Sequence, residues 1–107
     1  MKNTVKLCFV GDIMLGNSSL MLSRGVYSKC EKKGFDFLYS QAKPFFSEAD
    51  LVFGNLECSI SKNKEINIFK PYIADRSVIK SLRISGFNVL NVANNHTMQY
   101  GSQVFFR

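Results

Sequence analysis

Apolar residues along the chain fall into short dense runs, each stopped by small and polar residues. Val5 to Val10 is β-branched and aromatic and gives way to Gly11-Asp12, which predicts a buried strand. Leu51-Val52-Phe53 repeats this and ends at Gly54-Asn55, and Phe87 to Val92 is a third run, ahead of Asn94-Asn95-His96. Between them the spacing turns helical. Ser18 to Arg24 reads as one or two turns, and Phe37 to Phe46 as a helix interrupted by Pro44. Arg76 to Ser85 carries Val78, Ile79 and Leu82 on one face, with Asp75 as N-cap and Gly86 in the C′ position. Lys62 to Glu65 is a polar loop, and Ile66 to Tyr72 reads as extended around Pro71.

Strands alternating with helices predict an α/β fold with a mainly parallel sheet. In such sheets ligands bind beyond the carboxyl ends of the strands. Three polar clusters therefore converge on one edge: Gly11-Asp12, Gly54-Asn55 with Glu57, and Asn94-Asn95-His96.

Composition narrows the choices. The 107 residues make one domain or part of one. The net charge of +6 favours anionic partners, but the basic residues are scattered, and Lys32-Lys33 is the only adjacent pair. Nucleic acid is not an expected partner, since neither a basic block nor an aromatic stacking ladder is present. Nine of the ten phenylalanines, all but Phe9, read as core by default. Cys8, Cys30 and Cys58 lack metal or disulfide spacing, and Cys8 reads as a small core residue. No apolar run approaches the roughly 18 residues of a membrane span, and the N-terminus reads as a strand rather than an export signal. Reduced thiols and a cytoplasmic setting are the expectation for the chain as written. Neither a GxGxxG nor a P-loop pattern supports a nucleotide-binding domain.

Each polar cluster admits two readings. Asp12 can cap a turn or hold a divalent metal, with Gly11 allowing close backbone approach. Asn55 and Glu57 share a face if extended, and Glu57 is otherwise an exposed turn residue. Oxygen donors with one imidazole suit Mn²⁺, Mg²⁺ or Zn²⁺. Asn94 and Asn95 mark the end of a strand and can also orient backbone or bind metal. His96, the only histidine, is structural, or it serves as a general acid or anion-binding donor.

"FVGDIMLG", "ADLVFGNLECSI" and "GFNVLNVANNHTMQYG" occur in this order. Together they resemble the bacterial capsule-synthesis CapA family, named for poly-γ-glutamate capsules, over about residues 5–101. The resemblance implies a calcineurin-like metallophosphoesterase fold, a layered α/β sandwich with metal ligands on loops after the strands. It implies metal-ligand positions at Asp12, Asn55, Glu57 and Asn95, supported by Gly11, Gly54 and Asn94. His96 would contact the scissile phosphate or the leaving group, and the complete domain would hold one or two divalent ions. Three positions depart from the family pattern: Met14 stands where phosphoesterases have His, Asn17 where the capsule family has Arg, and Gln99 where it has Asp.

Family members are much longer, so residues 1–107 are expected to form a single incomplete domain, the N-terminal part of such a protein, inactive by itself. Its sheet edge would be covered by the missing C-terminal half or by a partner. The implied function is in making, transferring or anchoring an anionic extracellular polymer, by metal-dependent hydrolysis of a phosphoester or a γ-glutamyl amide. The rival expectation is a non-enzymatic module that binds an anionic polymer or an assembly partner.

Overall fold

The computed structural model describes residues 3–18, 20, 24–62 and 69–105. The elements in chain order are β1 Leu7–Ile13, α1 Val26–Lys33, a 3-10 helix Phe35–Tyr39, α2 Lys43–Ser47, β2 Leu51–Leu56, β3 Ser59–Ser61, β4 Ile73–Asp75, α3 Val78–Ser85, β5 Val89–Asn91 and α4 Ser102–Phe105. β1, β2 and β5 form one sheet in that order, and β3 with β4 forms a second. Every strand pair is parallel, so the expected α/β class is what the chain adopts.

Several boundaries differ from expectation. β1 and β2 do not stop at their glycines but run through Gly11-Asp12 and Gly54-Asn55, whereas the third strand is only Val89–Asn91. Pro44 does not interrupt a helix. It sits in the first turn of α2, where its missing N–H is harmless, and the break falls before it. Asp75 ends β4 instead of capping α3, although its Oδ1 accepts from Ser77 N–H. Gly86 closes α3 in the left-handed region (φ 115°), as expected. Val78 and Leu82 of the expected apolar face are buried, but Ile79 is exposed. The expected helix at 18–24 and the loop and extended run at 62–72 lie partly outside the described residues, as does Phe106. Where described, 18–24 is not helical, since Ser18 N–H donates to Arg24 O; Lys62 is a bend; and Pro71-Tyr72 forms a turn instead of an extended run.

The inner face of the β1–β2–β5 sheet carries the core. Ile13, Val52 and Leu56 pack there with Phe46 of α2, Val78 and Leu82 of α3, and Phe87. The outer face is open. Leu7 pairs with Leu51, and Phe9 lies in register with Phe53, which is in register with Val89. The Phe9 and Phe53 rings are 5.6 Å apart, yet Leu7 and Phe9 remain 55% and 66% exposed. Parallel sheets are normally covered on both faces, so this surface is unusual. The phenylalanines therefore divide: Phe46 and Phe87 are core, while Phe9, Phe37, Phe45 and Phe69 are exposed. Cys8 likewise is only partly buried.

Helix α1 is held from outside itself. Asn17 is buried, and its Oδ1 accepts from Ser28 N–H at 2.9 Å, satisfying a first-turn donor of α1 from eleven residues upstream. The side chain that stands in place of an arginine is thus turned inward. Asn17→Ala should lose about 1 kcal/mol of stability, read as a lower denaturant midpoint with unchanged slope.

Cys30 and Cys58 are free and buried. Burial pushes the Cys58 thiol up to about 11, well above the ordinary thiol range, against backbone hydrogen bonds from Leu15 and Gly16 that lower it. At neutral pH a soluble alkylating reagent should modify Cys8 well before Cys58 or Cys30. Because the folded chain holds this proton more tightly than the unfolded one, its contribution to stability should fade as pH rises from about 9 to about 11, measurable as a falling denaturant midpoint.

Candidate functional site at the carboxyl edge of the sheet

One rung of the sheet is polar. Asp12 of β1 is in register with Asn55 of β2, which is in register with Asn91 of β5. Parallel register places all three side chains on the open face, just past the Phe9–Phe53–Val89 row. For Asp12 this requires an irregularity. Phe9 and Asp12 are three residues apart, so simple alternation would put them on opposite faces. The register shifts between them, where β1 spends three residues against two in β2. This β-bulge aims Asp12 outward and leaves Ile13 facing the core.

Asn55 is the hub. Its Nδ2 donates to Asp12 Oδ1 at 2.9 Å and to Glu57 Oε1 at 3.1 Å. Its Oδ1 accepts from Asn91 Nδ2 at 2.8 Å and from Asn94 Nδ2 at 3.1 Å. Turning this amide over would set its oxygen against two carboxylates, so the surroundings fix its orientation. Asn94 also donates to Leu56 O, which ties the third cluster to the end of β2.

His96 completes the edge. Its Nε2 lies 4.0 Å from Glu57 Oε2, and both side chains are about one-fifth exposed. The Tyr72 ring packs against the imidazole with centroids 4.7 Å apart, and Nδ1 is 2.6 Å from Gln99 Oε1. The backbone is pinned as well. His96 N–H donates to Asn94 Oδ1, Ser59 Oγ donates to His96 O, and Thr97 Oγ1 donates to Val92 O.

The three clusters expected to converge therefore do so, through Asp12, Asn55, Glu57, Asn94 and His96. Gly11 lies in the bulge, and Gly54 is buried on the inner face between Ile13, Phe87 and Val10 side chains. Asn95 is exposed, and its side chain makes none of the hydrogen bonds that join the others. Sequence reasoning passed over Asn91, Ser59 and Tyr72. The available signal for Asn91 was an asparagine inside an apolar strand, three residues before Asn94.

The donors fit a divalent cation in kind but not in number. Carboxylate oxygens and one imidazole are suitable ligands. Among the described residues, however, no three His, Cys, Asp or Glu side chains form a group that could hold a metal ion. The Asn55 amide hydrogens lie where a cation would neutralise Asp12 and Glu57, and the Asn55 oxygen is taken up by two other amides.

Comparison with known proteins bears on identity. The family model described as bacterial capsule synthesis protein PGA_cap matches residues 6–107. The PGA biosynthesis protein CapA of Bacillus subtilis (strain 168) is 37% identical over 98 residues, covering 89% of this chain and 24% of that protein. The capsule biosynthesis protein CapA of Bacillus anthracis is 30% identical over 102 residues, covering 91% of this chain and 23% of its own length. The chain thus spans about a quarter of the length of these curated relatives. No solved structure matches. Among the described residues no helix is long and apolar enough to cross a membrane.

Proposed function

Given that the chain belongs to the bacterial capsule synthesis protein PGA_cap family, we propose that its polar sheet edge is one wall of a site that handles an anionic capsule polymer. The finding that carries this reading is the convergence of Asp12, Glu57 and His96 around Asn55 at the carboxyl end of a parallel sheet. In this reading the two carboxylates and the imidazole supply a partial ligand set for a divalent ion, and donors from outside these 107 residues complete its coordination. When bound, such an ion would polarise a phosphoryl or amide oxygen of the substrate. The chain's own residues perform the positioning. Asn55 holds Asp12 and Glu57 together, Asn91 and Asn94 hold Asn55, and Tyr72 fixes the face of His96. Alone, the chain is not expected to turn over substrate, because too few donors are in place. The open row of Leu7, Phe9 and Val89 is covered, in this reading, by further protein.

Titration with Mn²⁺, followed by electron paramagnetic resonance, tests the proposal. The expected result is binding that weakens at least tenfold, about 1.4 kcal/mol, in Asp12→Ala and in His96→Ala. The net charge of +6 supports a second reading, a charge-driven polyanion binder without a metal. That reading is favoured instead if both variants bind Mn²⁺ like the parent chain while poly-γ-glutamate affinity falls steeply with salt.

A further inference from the structure

We infer that Gln99 is a positioning residue that fixes the tautomer of His96, so that the imidazole meets its ligand as an acceptor at Nε2 and not as a proton donor. The inference deepens the proposed reading of this edge and rests on it. His96 Nδ1 lies 2.6 Å from Gln99 Oε1. Two bare acceptors do not approach so closely, and an amide N–H pointing at a ring nitrogen needs nearer ~3 Å, so the contact fits Nδ1–H donating to the carbonyl oxygen. A neutral imidazole has one ring hydrogen. With that hydrogen on Nδ1, Nε2 keeps its lone pair and faces Glu57 Oε2 across 4.0 Å. Two acceptors then border one gap. The gap suits a cation, or a group with hydrogens to give, and repels an anionic oxygen.

The ring is restrained from escaping this arrangement. Tyr72 packs on it, Asn94 Oδ1 accepts from its backbone N–H, and Ser59 Oγ donates to its carbonyl. Gln99 lies three residues on in the same run of turns and needs no long-range packing to reach Nδ1.

His96 is the only histidine, so long-range ¹H–¹⁵N spectra of the labelled chain report a single imidazole. They are recorded under conditions where the ring is neutral. The expected wild-type pattern has the hydrogen on Nδ1 and a pyridine-like Nε2. In Gln99→Leu, which has no acceptor, the tautomer ratio should move toward Nε2–H by roughly fivefold, the effect of one lost hydrogen bond. Gln99→Glu keeps an acceptor there and should restore the wild-type ratio. A wild-type ring with its hydrogen on Nε2 overturns the inference, and so does a Gln99→Leu ratio equal to wild type. Gln99 is exposed, so the leucine variant should fold, and Gln99→Ala, which also lacks the acceptor, should show the same shift if it does not. The Mn²⁺ titration is a separate readout: cation binding can fail while the tautomer stands, and the reverse.

Discussion

Gly16→Ala is expected to destabilise the chain by about 3 kcal/mol, at the upper end of what one added methyl group costs. A Cβ built on Gly16 would lie 2.4 Å from Pro71 O and 2.8 Å from Tyr72 Cα. Both are backbone atoms, so no side chain can swing away to make room. The same segments are joined by a hydrogen bond from Asn17 N–H to Pro71 O at 2.6 Å, and Gly16 O accepts from Tyr27 N–H. Pushing Pro71-Tyr72 outward would strain the Asn17–Pro71 bond and move the Tyr72 ring from His96. Chemical denaturation should show a lower midpoint with an unchanged slope. The contrast is Gly11→Ala, where a Cβ meets nothing within 4 Å and little change is expected. If the two variants proved equally stable, the close approach at Gly16 would have no energetic weight.

Asn55→Asp should have the second large effect, and a conditional one. The substitution replaces an amide that donates to Asp12 and Glu57 with a third carboxylate beside them. Two charge-assisted hydrogen bonds become two like-charge contacts. Because Asp12 is exposed and Glu57 partly so, solvent screens the repulsion, and a loss of about 2 kcal/mol is expected rather than more. In a chain of this size that lowers the melting temperature by roughly 10 °C in the presence of a chelator. Added Mn²⁺ or Ca²⁺ should recover most of it, since three neighbouring carboxylates at one edge of the sheet are a hard-cation site. Asn55→Leu should be destabilised too, yet show no recovery with metal. Equal melting temperatures for Asn55→Asp and the parent chain in chelator would mean that Asn55 does not hold the carboxylates.

How much of this was legible beforehand depends on which force wrote each element. The parallel sheet was legible because Leu51-Val52-Phe53 and its neighbours are dense apolar runs ending in polar residues. Gly86 was legible because a helix C-terminus leaves few other choices. Helix α1 was not: its sequence VYSKCEKK buries only Tyr27 and Cys30, and its first turn is satisfied by Asn17 from outside the helix. β3 and β4 are three residues each, too short for any period to show. At the edge, the strand-end rule found Asp12, Asn55, Glu57, Asn94 and His96. Asn91 is hard to see because it lies inside the third strand and not after its end, and the placing of Tyr72 against His96 depends on a turn far away in sequence. Asn17 was legible only as a departure from the family's arginine, because polarity alone does not tell a buried cap from an exposed side chain.

The register shift in β1 gives the strand a change of parity. Before it, odd-numbered residues such as Leu7 and Phe9 face outward; after it, even-numbered Asp12 does, and odd-numbered Ile13 is sealed inside. Length here is therefore information. Any one-residue deletion at Val10-Gly11 that left the ends of the strand paired as now would bring β1 and β2 into step without altering one chemical group at the edge. A one-residue deletion compensated by a slip of the strand would swap the roles of Asp12 and Ile13, driving a carboxylate into the core and a branched hydrocarbon into solvent. Tolerance to a gap at this point therefore turns on whether the paired ends of the strand hold their register.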